Sequence, residues 1–232
     1  MKEFVGVDGC RGGWVAVALS GRVLRAIVSP DWTALMTEAR RAAVITVDMP
    51  IGLPTRGARS CDREARRWLG RPRGASVFPP PVRGCQHEAS YPELCARQRA
   101  TDGRGLTKQA FNILPKIRQL DRWLAERFRD RVRIFEVHPE VSFACWNRGR
   151  AMRHHKSTYE GRLERERLID ELWPGARERL WRDIRGGPCE RDDLNDALAA
   201  LWSARRIADG TAVRMPRAVE RDETGLLMQI LA

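Results

Sequence analysis

Residues 192–197, Asp-Asp-Leu-Asn-Asp-Ala, hold three carboxylates within five positions. Asp193 and Asp196 are spaced i, i+3, which on a helix puts both on one face. Like charges there repel. Either they decorate a helix N-terminus, where negative charge is favoured, or a cation is meant to sit between them. Further acids end apolar runs: Asp8 closes "EFVGVD", Asp48 closes "AAVITVD" and Glu136 lies near the end of "RVRIFEVHP". Gathered in one place, such groups offer hard oxygen ligands suited to Mg²⁺ or Mn²⁺. Two such ions about 3.5–4 Å apart can activate a water and stabilise the leaving oxygen in phosphodiester cleavage. The expected ligands are Asp8, Asp48, Asp193 and Asp196, with Asp193 ahead of Asp196. Glu136 is the expected auxiliary ligand or water-orienting base. Each acid also has a plainer explanation: a turn at Asp8-Gly9, an Asx turn at Asp48, an ion pair from Glu136 to Arg131 or Arg133, and a helix cap at Asp192.

The elements that must position these acids are legible in outline. The runs 3–8, 14–19 and 22–28 read as three strands joined by short turns, an antiparallel meander. Residues 29–41 carry Ser/Asp capping chemistry and helical periodicity. Residues 42–50 are nearly continuously apolar, as a central parallel strand is. Residues 106–128 read as a long helix kinked or broken at Pro115, 131–139 as a strand, 154–184 as a charged helical stretch and 192–208 as a final helix. The segment 210–216 reads as an added edge strand. This order predicts an α/β fold, a ribonuclease-H-like three-layer α/β/α arrangement with a mixed five-stranded sheet. Strands one, four and five are then neighbours, so their terminal acids share one carboxyl edge, where sites form in open α/β sheets. The reading is one domain over 1–232 with two insertions. One, at 52–105, is rich in Pro, Gly and Arg, with one short helix near 61–69 and long loops. The other, about 150–188, is helical.

Formal net charge is +12, and only Lys2, Lys108, Lys116 and Lys156 among 42 basic residues are lysine. Arginine binds phosphate bidentately, so a nucleic-acid partner is the natural expectation; the alternative is a genome-wide bias to Arg codons. Six cysteines lack C-x-x-C or zinc-finger spacing and read as free, buried thiols. No signal-peptide pattern and no apolar run of membrane-spanning length occur, so the expected setting is cytoplasmic, with no membrane partner.

Several residues could serve a substrate. Arg11 stands in the glycine-rich turn "GCRGG". Arg71, Arg73, Ser76 and Phe78 lie in "GRPRGASVFPPP", where Arg suits phosphates and an aromatic suits base stacking on a single strand or flipped end. Lys116 and Lys156 could neutralise a phosphate or contact a carboxylate, and His138 could move a proton or position water. Each has a structural alternative: an exposed turn Arg, a packing Phe, solvated lysines, a buried histidine. The tandem His154/His155 points to metal only weakly. Trp123, Trp173, Trp181 and Trp202 fall at helical spacing and read as packing residues.

"FVGVDGCRGGWV", "VDMPIGLP", "CDREARRWLG…SVFPPP", "KQAFNILPKIRQLD", "FEVHPEVSFA" and "DDLNDALAALWSA" together resemble the DUF429 family, described as predicted nucleases of the ribonuclease H fold. The resemblance runs over about residues 3–208 with the motifs in family order. The acid pattern is also similar to that of RuvC-type resolvases: Asp8 on strand one, Asp48 on strand four and a D-x-x-D-A at Asp193, Asp196 and Ala197. Glu136 lies outside that minimal set. The resulting expectation is a metal-dependent nuclease whose Arg-rich insertion grips nucleic acid. Its rivals are a non-catalytic nucleic-acid-binding or scaffold protein on the same fold, and an actin-like phosphotransferase, for which the chain is short and lacks a second glycine hairpin.

Overall fold

The computed structural model describes residues 2–126 and 133–232. Strands β1 (Glu3–Cys10), β2 (Gly13–Ser20) and β3 (Val23–Ser29) form the expected meander, and α1 (Trp32–Glu38) is capped by Asp31. Then come β4 (Ala42–Val47), α2 (Ser60–Leu69), a 3₁₀ turn at Arg73–Ser76 and α3 (Tyr91–Asp102). Next are α4 (Lys108–Asn112), α5 (Leu114–Glu126), β5 (Ile134–Glu136) and α6 (Pro139–Trp146). The chain closes with α7 (Tyr159–Leu172), α8 (Ala176–Ile184), α9 (Arg191–Ala208), β6 (Arg214–Arg221) and β7 (Leu227–Leu231). The main sheet has the order β3-β2-β1-β4-β5. β1 pairs antiparallel with β2 and parallel with β4, and β4 pairs parallel with β5. This mixed five-stranded α/β sheet, flanked by helices, is compatible with a ribonuclease-H-like fold. Among the described residues no helix is long and apolar enough to cross a membrane.

The two sheet faces are buried in separate cores. One joins Val5, Val7, Trp14 and Val47 to α1 and α5 through Trp32, Leu35, Leu114 and Leu120. The other joins Val15, Val17 and Leu19 to α8 and α9 through Leu180, Leu194, Ala197 and Leu198. Alternating side chains of one strand thus serve opposite cores, as the pleat requires. Trp123 packs edge-on to Trp32 with ring centroids 6.3 Å apart, and Trp202 stacks on Trp146 at 5.2 Å. The six cysteines are free, and five are buried.

Two contacts set the height of α9 over the sheet. A Cβ on Gly6 would lie 2.0 Å from the Leu201 nitrogen and 2.3 Å from the Ala197 oxygen, so only glycine lets the helix backbone descend onto β1. From β4, the Thr46 hydroxyl donates to the Ala200 carbonyl at 2.7 Å. The buried Ser203 and Ser142 hydroxyls, 2.9 Å apart, tie α9 to α6.

Four expectations need correction. The insertion at 52–105 holds a second helix, α3, opened by a capping box between the N-cap Ser90 and Glu93 in its first turn. The helix expected over 106–128 with a kink or break at Pro115 is indeed broken, into α4 and α5, but at Ile113; Pro115 sits in the opening turn of the second, where its missing N–H costs no helical bond. The charged stretch 154–184 is likewise two helices, parted at Gly175, where φ is +69°. The final segment does not edge the main sheet: β6 pairs with β7 in a separate two-stranded sheet. That hairpin packs Met215, Met228 and Ile230 on Cys61 and Ala65 of α2. Residues 127–132, shared between the expected helix and strand, lie outside the described residues.

Gly6→Ala should lower unfolding free energy by about 1–3 kcal/mol or more through forced separation of helix and strand. Urea denaturation against wild type measures it; an unchanged midpoint would show that α9 is free to ride higher.

Candidate active site

The parallel strands β1 and β4 end together, and the residue following each core run is an aspartate. Asp8 pairs with Val15 across β1–β2, and the Asp48 N–H donates to the Val7 carbonyl at 3.0 Å, so the two acids sit side by side. Because α9 rests on Gly6, its first turns reach this edge and present Asp193 and Asp196. All four aspartates line one cavity of about 630 Å³. Glu136, Arg73, Ser76, Phe78, His138 and Lys156 line it too. Arg11, Arg71 and Lys116 do not. Arg11 and Arg71 are exposed. The Lys116 stem lies where a Gly9 Cβ would be, and its ammonium stands 5.9 Å from the Trp14 ring centroid.

The aspartates differ in partners. Asp8 Oδ1 accepts from the Gly9 N–H at 2.7 Å. Asp193 Oδ2 accepts from the Glu190 N–H at 2.8 Å, so Glu190, not Asp192, is the residue capping α9. Asp196 is 3% exposed and accepts from Lys156 Nζ at 2.7 Å. The Asp48 carboxylate has no hydrogen-bond or ion-pair partner among the described residues. Burial, followed by repulsion from Asp48 and Asp196, holds the Asp8 carboxyl well above the usual range. Burial, then Asp196, pushes Asp48 up to about 7. Lys156 opposes both shifts.

Lys156 arrives on a tightly held loop. The His154 N–H donates to Glu164 at 3.0 Å, and the Thr158 hydroxyl donates to the His155 carbonyl at 2.9 Å. A Cβ on Gly161 would lie 1.9 Å from that carbonyl, so glycine is needed for the loop to lie on α7. The lysine side chain nevertheless stays 45% exposed, so solvent weakens its pull on the cluster.

Glu136 lines the same cavity but is fully engaged. Its two oxygens accept from Arg59 Nη1 at 2.7 Å and Nη2 at 2.6 Å, and Oε2 also accepts from the Ile51 N–H at 2.7 Å. Arg59 turns its remaining donors to Asp62, at 2.6 and 3.0 Å, and to the Ile51 and Gly52 carbonyls. Glu136 therefore fastens the insertion to the sheet edge, and its partner is Arg59 rather than Arg133; the other arginine expected there, Arg131, lies outside the described residues. The insertion's arginines largely hold the chain itself. Arg66 donates to the Val77 carbonyl, and Arg83 pairs with Asp121 at 2.9 Å and with Asp222. Arg73 is the expected phosphate contact in this segment that faces the cavity.

His138 Nε2 lies 3.4 Å from the Ser76 carbonyl oxygen, which can only accept, so Nε2 carries the proton. Burial lowers the His138 pKa and keeps the ring neutral near pH 7. Its Nδ1 is then a buried acceptor with no partner among the described residues. Gln109, Asn112, Glu140, His155 and Asp62 also line the cavity. Glu140 belonged to the "EVHPE" motif, but the sequence carried no sign that it pairs with Arg165 at 2.5 Å. Gln109 and Asn112 lie in the motif "KQAFNILPKIRQLD", but nothing in it marked them for the site; only the folding of α4 over the edge brings them in.

The donor set suits a hard divalent cation: four aspartates, one without a partner, and a charge excess that Lys156 offsets only in part. As placed, no three His, Cys, Asp or Glu side chains among the described residues stand close enough to enclose an ion. A cation at this edge would therefore draw the carboxylates together and compete with Lys156 for Asp196.

Two outcomes follow. Since Asp48 has its pKa raised on folding, the folded state holds a proton that the unfolded chain has lost between about pH 4 and 7. Metal-free protein should thus lose stability as pH rises through that window; Asp48 alone contributes a slope approaching about 1.4 kcal/mol per pH unit, and Asp8 and Glu136, raised by burial in the same sense, add to it. Asp48→Asn should reduce the slope; thermal unfolding across pH 4–8 in chelator reads this, and an equal slope in the variant would place the protonation elsewhere. Separately, Arg59→Met strands two buried carboxylates and should cost about 3–5 kcal/mol by urea denaturation, where a loss under 1 kcal/mol would mean the clamp is dispensable.

No curated protein and no solved structure matches the chain. The family model described as "Protein of unknown function (DUF429)" matches residues 6–221, nearly the whole of the sheet, the insertions and α9, and the chain belongs to that family.

Proposed function

We propose that this chain is a divalent-metal-dependent hydrolase of phosphodiester bonds in nucleic acid. The observation that carries the reading is the meeting of Asp8, Asp48, Asp193 and Asp196 in one cavity, with Asp8 and Asp48 both pushed up by burial and then by neighbouring carboxylates, Asp196 among them for each. These four residues would hold Mg²⁺ or Mn²⁺, two ions in the fullest case. When bound, such ions activate water and stabilise the leaving oxygen. The neutral His138, with Nδ1 unpartnered, orients a water or takes its proton. Arg73 and Lys156 bind phosphate oxygens from the cavity wall. The formal charge of +12 favours a polyanionic substrate, and binding should weaken steeply with salt.

A second reading has one observation of its own. Lys156 already places a cation on Asp196, so the cluster could be internally compensated and the protein a non-catalytic nucleic-acid binder.

The experiment is a Mn²⁺ titration followed by thermal shift, with wild type, Asp8→Asn, Asp193→Asn and Lys156→Gln. The hydrolase reading expects Mn²⁺ to stabilise wild type, both Asn variants to lose the response, and Lys156→Gln to respond at lower Mn²⁺. Mn²⁺-dependent cleavage of single-stranded or duplex DNA or RNA, absent in Asp8→Asn, completes it. A wild type indifferent to millimolar Mn²⁺ would leave the binding reading in its place.

A further inference from the structure

The cavity has more than the carboxylates can use. Part of its wall is built from the 3₁₀ turn and the residues after it, and from α4. Phe78 lines the cavity there while packing against the core that contains α5, so its ring is held from behind. Gln109 and Asn112 are spaced i, i+3 and share one face of α4, toward the cavity. Each amide offers both donors and an acceptor. Neither has a partner among the described residues. Arg73 lines the same wall, and its Nε is buried without a partner.

We propose that this wall receives an unpaired nucleotide, with Phe78 against the face of the base, Gln109 and Asn112 on its edge, and Arg73 on its phosphate. The inference rests on the hydrolase reading and names the substrate class for the same site. A volume of about 630 Å³ is that of a pocket enclosing a small ligand, within the usual range of roughly 300–1,000 Å³. A base inside a duplex has both faces covered by its neighbours, so only an extruded, single-stranded or terminal nucleotide can lie on Phe78. Stacking tolerates any base, whereas paired amides can discriminate among base edges. The same chemistry is presented by a free nucleotide and by the unpaired end of a strand.

The test is fluorescence anisotropy with the full chain in chelator, so that nothing is cleaved. The probes are labelled single-stranded homo-oligonucleotides of each base and a blunt duplex of equal length, with nucleoside monophosphates as competitors. The single strand should bind roughly tenfold more tightly than the duplex at equal salt, and Phe78→Leu should remove roughly that factor. Because Phe78 also packs the core, the deciding variant is the double Gln109→Ala/Asn112→Ala, whose residues are exposed. It should level the affinities among bases and leave the salt slope unchanged, since no phosphate contact is lost. Competition by monophosphates near the oligonucleotide affinity assigns a free nucleotide; failure to compete assigns a strand. Equal affinity for duplex and single strand, an unchanged base preference in the double variant, or no binding of any probe overturns the inference. Base-selective binding without Mn²⁺-dependent cleavage would retain it and discard the hydrolase reading. Cleavage without base or strand discrimination would do the reverse.

Discussion

The carboxylate site depends on how closely α9 lies on β1. A helix normally stands off a sheet by the depth of its side chains. At Gly6 there is no side chain on the strand, and the backbone of Leu201 and Ala197 occupies that space. Thr46 then bonds the helix to β4. The consequence reaches two turns along the helix, where Asp196 and Asp193 come level with the ends of β1 and β4. Four acids from three elements meet because one residue lacks a Cβ.

Having met, they are costly. Burial and repulsion raise Asp8 and Asp48, and Lys156 relieves them from a loop pinned on Gly161. Desolvated like charges without full compensation are what a protein retains where a ligand completes the balance. The neighbouring Arg59 pair shows the alternative. There Glu136 and Asp62 are equally buried, yet a guanidinium satisfies both, and the result is a structural clamp. Side by side, the two clusters separate carboxylates that hold the fold from carboxylates left open to the cavity.

The chain's positive charge divides in the same way. Arg59, Arg83 and Arg165 point inward and hold carboxylates of the chain itself. Their number in the insertion says little about its hold on a partner. Arg73 and Lys156 are basic residues that line the cavity, Arg73 with one donor on the His154 carbonyl and Lys156 with its ammonium on Asp196. Composition counts charges; it does not say which way they turn.

The strands, the acids that end them and the i, i+3 spacing of Asp193 and Asp196 were legible in the sequence, because pleat, helical spacing and short turns are local rules written in adjacent residues; the strand order, and with it the edge shared by Asp8 and Asp48, followed from the ribonuclease-H-like topology that the order of elements implied. The capping box at Ser90 and Glu93 was equally local and marks α3 by the same rules. Tertiary structure alone decided that Glu136 is consumed by Arg59 from 77 positions away, and that Arg11, Arg71 and Lys116 stand outside the cavity. It also decided that Lys156 is the cation on Asp196 and that Gln109 and Asn112 face the same space. Each of these depends on a contact between distant segments, and side-chain direction across such a contact is set by packing that no window of sequence contains.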